Sequence, residues 1–369
     1  MQVAIVHDWL VTDAGAEKVL KELVDLYPDA DIFSLVDFLS SKQRDTILKG
    51  KKASTSFIQK LPFAKSHFRN YLPLFPIAIE SFQLQKYDLV ISSSWAVAKG
   101  VKTERSQTHI CYCYTPIRYA WDLYDEYTAN LWQPKKMVVQ KTLKYIREWD
   151  LKTLDRVDYF IACSHYVAKR IEKTYAIKDV EVIYPPVDTQ HFTFHKKKEE
   201  FYLSASRLVP YKKTKLIVQA FNQMPDKKLV VIGDGEEYNE IKKIAKENVI
   251  VLGYQEREVL IDFMQHAKGF VYAAIEDFGI APIEALSCGT PVIALNEGGT
   301  KETINSTNGV LFETQTIESI IDAVAKFEKK RFDSLKISQN VEFYNPQRFK
   351  DEIKQFIKKR FVSKEYNAS

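Results

Sequence analysis

The chain has 369 residues, 46% hydrophobic and 27% charged, with a formal net charge of +5. At roughly 100–200 residues per domain this calls for two domains, and the composition excludes a disordered or fibrous chain. The small positive excess does not argue for nucleic acid. The opening MQVAIVHDWL has an apolar run too short for a signal peptide, and no run of about 18 apolar residues offers a membrane span, so the chain is expected to be neither secreted nor membrane-spanning.

Short apolar runs alternate with helical patterns, as a parallel α/β sheet requires. Residues 3–6 predict a first strand, followed by a turn at Gly15 and a helix with Val19, Leu20, Leu23, Val24 and Tyr27 on its apolar face. Further strands are expected at 32–36, 89–92, 108–112, 159–162 and 180–183. Residues 184–188, Tyr-Pro-Pro-Val-Asp, read as a stiff linker. The pattern restarts with strands at 201–205, 228–232, 249–252, 269–272 and 291–294, separated by helices. A last helix places Phe349, Ile353, Phe356 and Ile357 on one face. The expected division is an α/β domain over 1–185, a second over 186–345, and a closing helix and tail over 346–369. Two such halves predict a cleft between them, since open α/β sheets bind ligands beyond the carboxyl ends of their strands. Cys111, Cys113, Cys163 and Cys288 lack metal-ligand or CxxC spacing and are expected to be buried free thiols of a reducing compartment.

The strongest motif is Glu276-Asp277-Phe278-Gly279-Ile280-Ala281-Pro282-Ile283-Glu284, between a strand and a helix. Gly279 lets the backbone approach a ligand closely, and free N–H groups at the helix start favour an anion. Glu276 and Glu284 can accept hydrogen bonds from sugar hydroxyls. The second motif is Arg207 and Lys212, five apart at the end of a strand, where a planar fork and a point charge can converge on a diphosphate. Gly298-Gly299 before a helix is by itself a weak phosphate-loop signal, which a tight turn explains more simply.

These residues resemble the E-x7-E and R-x4-K elements of retaining glycosyltransferases of family four, which have the GT-B fold: two Rossmann-like α/β domains facing a central cleft, with a C-terminal helix returning toward the N-terminal domain. The resemblance implies that Glu276 contacts the donor sugar, Glu284 the ribose, and Arg207 and Lys212 the diphosphate. Catalysis would rest on Arg207, Lys212 and Glu276. Phe278, Gly279, Ile280, Ala281, Gly298 and Gly299 would line the donor, and Gly15 would approach its phosphates from the other domain. The stretches VAIVHDWL, Ser92 to Val101, Cys111 to Asp122 and VIYPPVD narrow the resemblance to bacterial O-antigen and capsule mannosyltransferases. Two positions depart from that subgroup, which has His where Tyr114 and Trp95 stand here. Tyr114 can donate a hydrogen bond but carries no positive charge at neutral pH. Asp8, Tyr114, Arg118 and Asp122 are expected to touch sugar or acceptor.

The function so implied is metal-independent, retaining transfer of mannose from GDP-mannose to a lipid-linked or cell-surface glycan, with no cofactor beyond the nucleotide sugar. The alternatives are a GT-B sugar-nucleotide epimerase and a non-catalytic nucleotide-sugar or glycan-binding protein. Residues 46–79 hold no acid and interleave Lys49, Lys51, Lys52, Lys60, Lys65 and Arg69 with apolar and aromatic residues. Such a segment, 49–75, suits an anionic membrane surface, each cation contributing about 1 kcal/mol. The expected location is the cytoplasm, peripheral on the inner face of its membrane. Asp29-Ala30-Asp31 has D-x-D spacing but lies far from the donor motifs.

Overall fold

The computed structural model describes residues 1–368 except 123, 125–127 and 129–131, with side chains through 361. The chain divides into two compact units, Met1–Pro185 with Phe349–Ser369, and Pro186–Arg348.

The first unit is built on seven parallel strands: β1 (Val3–His7), β2 (Asp31–Ser34), β3 (Ser54–Thr55), β4 (Leu89–Ser94), β5 (Thr108–Cys113), β6 (Tyr159–Ala162) and β7 (Val180–Val182). Their spatial order is β3-β2-β1-β4-β5-β6-β7. β1, β4 and β5 are buried along their whole length, which is why β1 opens on a continuous apolar run, residues 3–6, while the polar residues that end β4, Ser92, Ser93 and Ser94, are buried with the rest of the strand. Trp9, Phe68, Phe75, Ile79, Ile146 and Trp149 belong to one core on a face of this sheet. The last helix, Pro346–Ala368, returns its apolar stripe to this unit. Phe349 meets Tyr112 edge-on at 5.7 Å and Phe356 meets Tyr159 at 6.2 Å, and Lys350 reaches Glu22 at 3.3 Å.

The second unit has six parallel strands: β8 (Glu199–Ala205), β9 (Leu229–Ile232), β10 (Val249–Gly253), β11 (Ala267–Tyr272), β12 (Val292–Leu295) and β13 (Gly309–Phe312). Their order is β10-β9-β8-β11-β12-β13. In each sheet the chain winds outward from one strand and then reverses, so β1/β4 and β8/β11 are the two switch points at which doubly wound sheets bind ligands. The short edge strands β3 and β13 were not anticipated. β3 has only two residues, and Gly309 opens β13 inside a polar turn.

Candidate functional site

At the second switch point the chain leaves β8 through Ser206 and Arg207 into a tight turn. Pro210–Lys212 forms one 3-10 turn, and Lys213 in the left-handed region (φ 58°) redirects the chain into the helix Thr214–Phe221. This reversal turns the Lys212 side chain back over the sheet. Its ammonium ion-pairs with Glu276, beyond the end of β11, and donates to the Tyr272 hydroxyl at 3.1 Å. The Tyr272 hydroxyl in turn donates to Glu276 Oε1 at 3.0 Å. Burial would push the Lys212 pKa down, but the Glu276 carboxylate overrides it, and the net shift is upward. Burial first and then the same carboxylate raise the Tyr272 pKa, so its proton stays available for donation. Arg207 points into solvent and donates from Nη2 to the Tyr211 hydroxyl at 2.6 Å, while the Lys212 ammonium lies 5.4 Å from the Tyr211 ring centre. The structure thus joins Lys212 to Glu276 directly and brings Arg207 alongside through Tyr211.

Gly279 (φ 91°) starts the helix Ile280–Ser287 with no side-chain cap, which leaves the first-turn N–H groups for an anion. Ile280 and Ala281 are partly exposed there, whereas Phe278 is buried against Tyr344 at 5.8 Å. Glu284 is buried on the same helix. Gly298 and Gly299 have a geometric reason to be glycine. A Cβ on Gly298 would lie 2.4 Å from the Glu276 carbonyl oxygen, and one on Gly299 would lie 2.3 Å from Phe278 Cα. Gly299 donates to the Glu276 carbonyl at 2.8 Å. The two glycines therefore let the loop after β12 close against the loop that carries Glu276, and so fix the carboxylate's backbone.

The first switch point is organised differently. Asp8, expected at the sugar or acceptor, is fully buried. Its carboxylate accepts four backbone N–H groups, from Trp95 (2.7 Å), Ala96 (2.9 Å), Val97 (2.6 Å) and Ala98 (2.7 Å). With its four lone-pair directions engaged by these donors, Asp8 shapes the turn after β4. Burial pushes its pKa up against the pull of those donors. Tyr114 is equally committed. Its hydroxyl pairs with Ser93 Oγ at 2.9 Å and donates to the Ala16 carbonyl at 3.0 Å. Its ring meets Trp95 edge-on at 5.8 Å, and burial raises its pKa well above the ordinary value. Gly15 begins the helix Gly15–Leu26, whose Glu17 accepts the Ala14 N–H at 3.0 Å. His7 Nδ1 pairs with Ser93 Oγ at 2.9 Å. Asp122 ion-pairs with Arg170 Nε at 2.5 Å, and Arg118 lies partly buried in the preceding turn.

Sequence reading missed several positioning residues. Lys99 is fully buried, ion-pairs with Asp150 and donates to the Ala96 carbonyl at 3.1 Å. Asp150 also accepts Trp121 Nε1 (2.9 Å) and the Tyr175 hydroxyl (2.8 Å), tying the 95–101 loop to the helix Gln133–Lys152. Only tertiary structure reveals that pair, 51 positions apart. Tyr272 was detectable in principle, four residues before Glu276, but its hydroxyl in a strand reads as β-propensity. Asp31 of the D-x-D spacing is held by the Tyr87 hydroxyl at 2.5 Å and Lys86 at 3.1 Å, and no group of three or more metal-ligating side chains occurs among the described residues. The four cysteines are buried thiols outside any disulfide, and Cys163 Sγ donates to the Tyr114 carbonyl at 3.4 Å.

Two parallel Rossmann-like sheets with cationic and carboxylate side chains at a switch point define the GT-B class, and comparison agrees. Residues 14–191 match the family described as Glycosyltransferase Family 4, and residues 187–343 match Glycosyl transferases group 1. The chain belongs to family four of the glycosyltransferases. It is 31% identical over 130 residues to a GDP-mannose-dependent monoacylated alpha-(1-6)-phosphatidylinositol monomannoside mannosyltransferase of Corynebacterium glutamicum, covering 31% of this chain and 34% of that one. It is 24% identical over 228 residues to the O-antigen chain mannosyltransferase RfbU of Salmonella typhimurium, covering 55% and 63%. The chain thus spans between a third and two thirds of the length of these curated relatives. Among solved structures, Anabaena HepE in complex with UDP and glucose superposes with a TM-score of 0.69 over 97% of this chain and 100% of that one, at 15% identity.

Proposed function

We propose that the chain is a retaining glycosyltransferase that moves mannose from GDP-mannose onto a lipid-linked glycan at the cytoplasmic membrane surface, without a metal ion. The observation that carries this reading is the Lys212–Glu276–Tyr272 cluster at the β8/β11 switch point, beside an uncapped helix start. As the bond from the sugar to the diphosphate breaks, the leaving group takes the electron pair. Lys212, Arg207 and the first N–H groups of the Ile280–Ser287 helix are placed to meet that charge. Glu276, held by two donors on one side, keeps acceptor capacity for sugar hydroxyls. An incoming diphosphate competes with Glu276 for Lys212, so donor binding and release of the carboxylate toward the sugar become one event. The choice of mannose leans on relatives named for mannosyl transfer, one of them for GDP-mannose and a phosphatidylinositol mannoside. HepE holds UDP and glucose in the same fold, so the base is the part of the reading most exposed to test.

The test is incorporation of labelled sugar into a bacterial lipid fraction by the full chain, with GDP-mannose, UDP-glucose and UDP-N-acetylglucosamine compared. Transfer from GDP-mannose alone, dependent on the lipid fraction, is expected. Preferential use of a uridine donor would overturn the donor assignment. Conversion of a sugar nucleotide with no acceptor present would replace transfer by epimerisation.

A further inference from the structure

His7 ends β1 at the first switch point, and its side chain is fully buried. No step of sugar transfer calls on it. Its surroundings nevertheless fix where its hydrogens go. The Ala16 carbonyl can only accept, so the single hydrogen of the Tyr114 hydroxyl points there, at 3.0 Å. Tyr114 must then accept from Ser93 Oγ, 2.9 Å away, which spends the one hydrogen of that hydroxyl. Ser93 can meet His7 Nδ1, also at 2.9 Å, only as an acceptor. Nδ1 of His7 therefore carries a hydrogen, and the chain of donors runs one way, from His7 through Ser93 and Tyr114 to Ala16.

The other ring nitrogen, Nε2, is just as buried and has no hydrogen-bond partner among the described residues. It faces Glu17 Oε1 at 3.9 Å, within ion-pair range but beyond a hydrogen bond. Glu17 is buried too, and it accepts the Thr12 hydroxyl on Oε1 at 3.3 Å and the Ala14 N–H on Oε2 at 3.0 Å. A bare Nε2 would aim its lone pair at a carboxylate in a dry place, at a cost to both groups. A hydrogen on Nε2 turns the same contact into attraction. Asp8, next in the chain, is a second carboxylate beside the ring, and Tyr114 is its other titratable neighbour. Two carboxylates favour a cation beside them. The Trp95 ring packs edge-on against the imidazole at 4.9 Å. Both routes from His7 end in one turn. Nδ1 leads to the Ala16 carbonyl, Nε2 leads to Glu17 and its hold on the Ala14 N–H, and Gly15 lies between those two points.

We infer that His7 is a positioning residue of the first switch point. With a hydrogen on each ring nitrogen it grips residues 14–17 twice, as the counter-ion of Glu17 and through Ser93 and Tyr114, and so sets the backbone of Gly15. Its effect on donor binding rests on the proposed transfer, in which Gly15 approaches the donor phosphates. The first test needs no turnover, so the two can fail separately. Histidine labelled with nitrogen-15 is incorporated into the full chain, and the His7 signals are identified by their loss in His7→Gln. Both ring nitrogens are expected to be protonated at neutral pH, whereas a bare Nδ1 or a bare Nε2 overturns the inference.

The second test is kinetic. His7→Asn keeps a donor for Ser93 and lacks Nε2. Glu17→Gln keeps an acceptor for the Ala14 N–H and lacks the charge. Each should raise KM for the sugar nucleotide about tenfold while kcat changes by less than about threefold, because a turn that holds the donor serves ground and transition states alike. The double variant should lose no more than about the worse single one, since both remove the same contact. An unchanged KM, a loss confined to kcat, or losses that multiply in the double variant overturns the inference. Should His7→Asn fold poorly, Glu17→Gln, which keeps the helix cap, carries the kinetic test.

Discussion

The two switch points occupy the same place in two similar sheets and spend their charges in opposite ways. At β1/β4 the charges are used up inside the protein. Asp8 holds four backbone N–H groups, Glu17 caps the helix that starts at Gly15, and Tyr114 is shared between Ser93 and the Ala16 carbonyl. At β8/β11 the charges face one another from loops, and the helix start is left uncapped. The first arrangement preorganises backbone; the second preorganises side chains that a ligand can reach. A shared fold therefore fixes where a site can be built without fixing whether its polar groups serve the ligand or the scaffold.

The sharpest way to break this contrast is a pair of substitutions with opposite signatures. Lys212→Ala removes a preorganised cation and should lower kcat by about 10²–10³-fold, or about 3–4 kcal/mol of barrier, with little change in thermal midpoint. A variant with near-wild-type turnover would remove Lys212 from the chemistry. Asp8→Asn should do the reverse. An amide presents one acceptor oxygen and an NH2 group to four N–H donors, leaving some of them unsatisfied, at a cost of about 3 kcal/mol of stability. A fall in the thermal midpoint, with kcat of the folded fraction reduced much less than in Lys212→Ala, is the expected result. An unshifted midpoint with lost turnover would return Asp8 to the ligand.

Much of this was legible in the chain. The restart of the apolar alternation after Pro185-Pro186 marks two sheets because parallel strands buried on both faces cannot hide their composition. Arg207, Lys212 and Glu276 stood out because charged residues at strand ends, beside glycine and a helix start, conflict with a purely structural reading. What stayed hidden depends on pairing across long separations. Nothing near Asp8 in sequence says that residues 95–98 turn four N–H groups toward it, and Lys99 gives no local sign that Asp150 waits for it. In the 49–75 segment composition alone does not tell an aromatic residue in a core from one at a surface: Phe68 and Phe75 are buried, whereas Phe57 and Phe63 are exposed. The helix Gln133–Lys152 was passed over because its inner and outer stripes are both partly apolar, which blurs a single-period signal.

A smaller test sharpens the contrast within the second unit. Tyr272→Phe deletes a hydroxyl that touches both members of the ion pair while leaving the ring in the core. A hydrogen bond to a charged group is worth roughly 1.5–3 kcal/mol, but the pair itself survives, so a loss of about tenfold in kcat/KM is expected. Because the hydroxyl orients Glu276 and Lys212 rather than touching the leaving group, the loss should fall on KM for the donor as well as on kcat. A change in kcat alone would place the hydroxyl at the reacting atoms instead.

The smallest effect is expected from Tyr114→Phe, and it asks whether the first switch point is scaffold throughout. The hydroxyl lost there bridges Ser93 at the end of β4 to the Ala16 carbonyl in the first turn of the helix Gly15–Leu26. Both partners are neutral, so the net cost should be about 1 kcal/mol. The loss should be local, because Glu17 still caps that helix and the Tyr114 ring still packs on Trp95 and Tyr112. Hydrogen exchange should therefore quicken for amides in the first turn after Gly15 and stay unchanged along β5. If kcat falls tenfold or more while exchange in that turn is unaltered, the hydroxyl serves the reaction, and the two switch points are more alike than their charge pairing indicates.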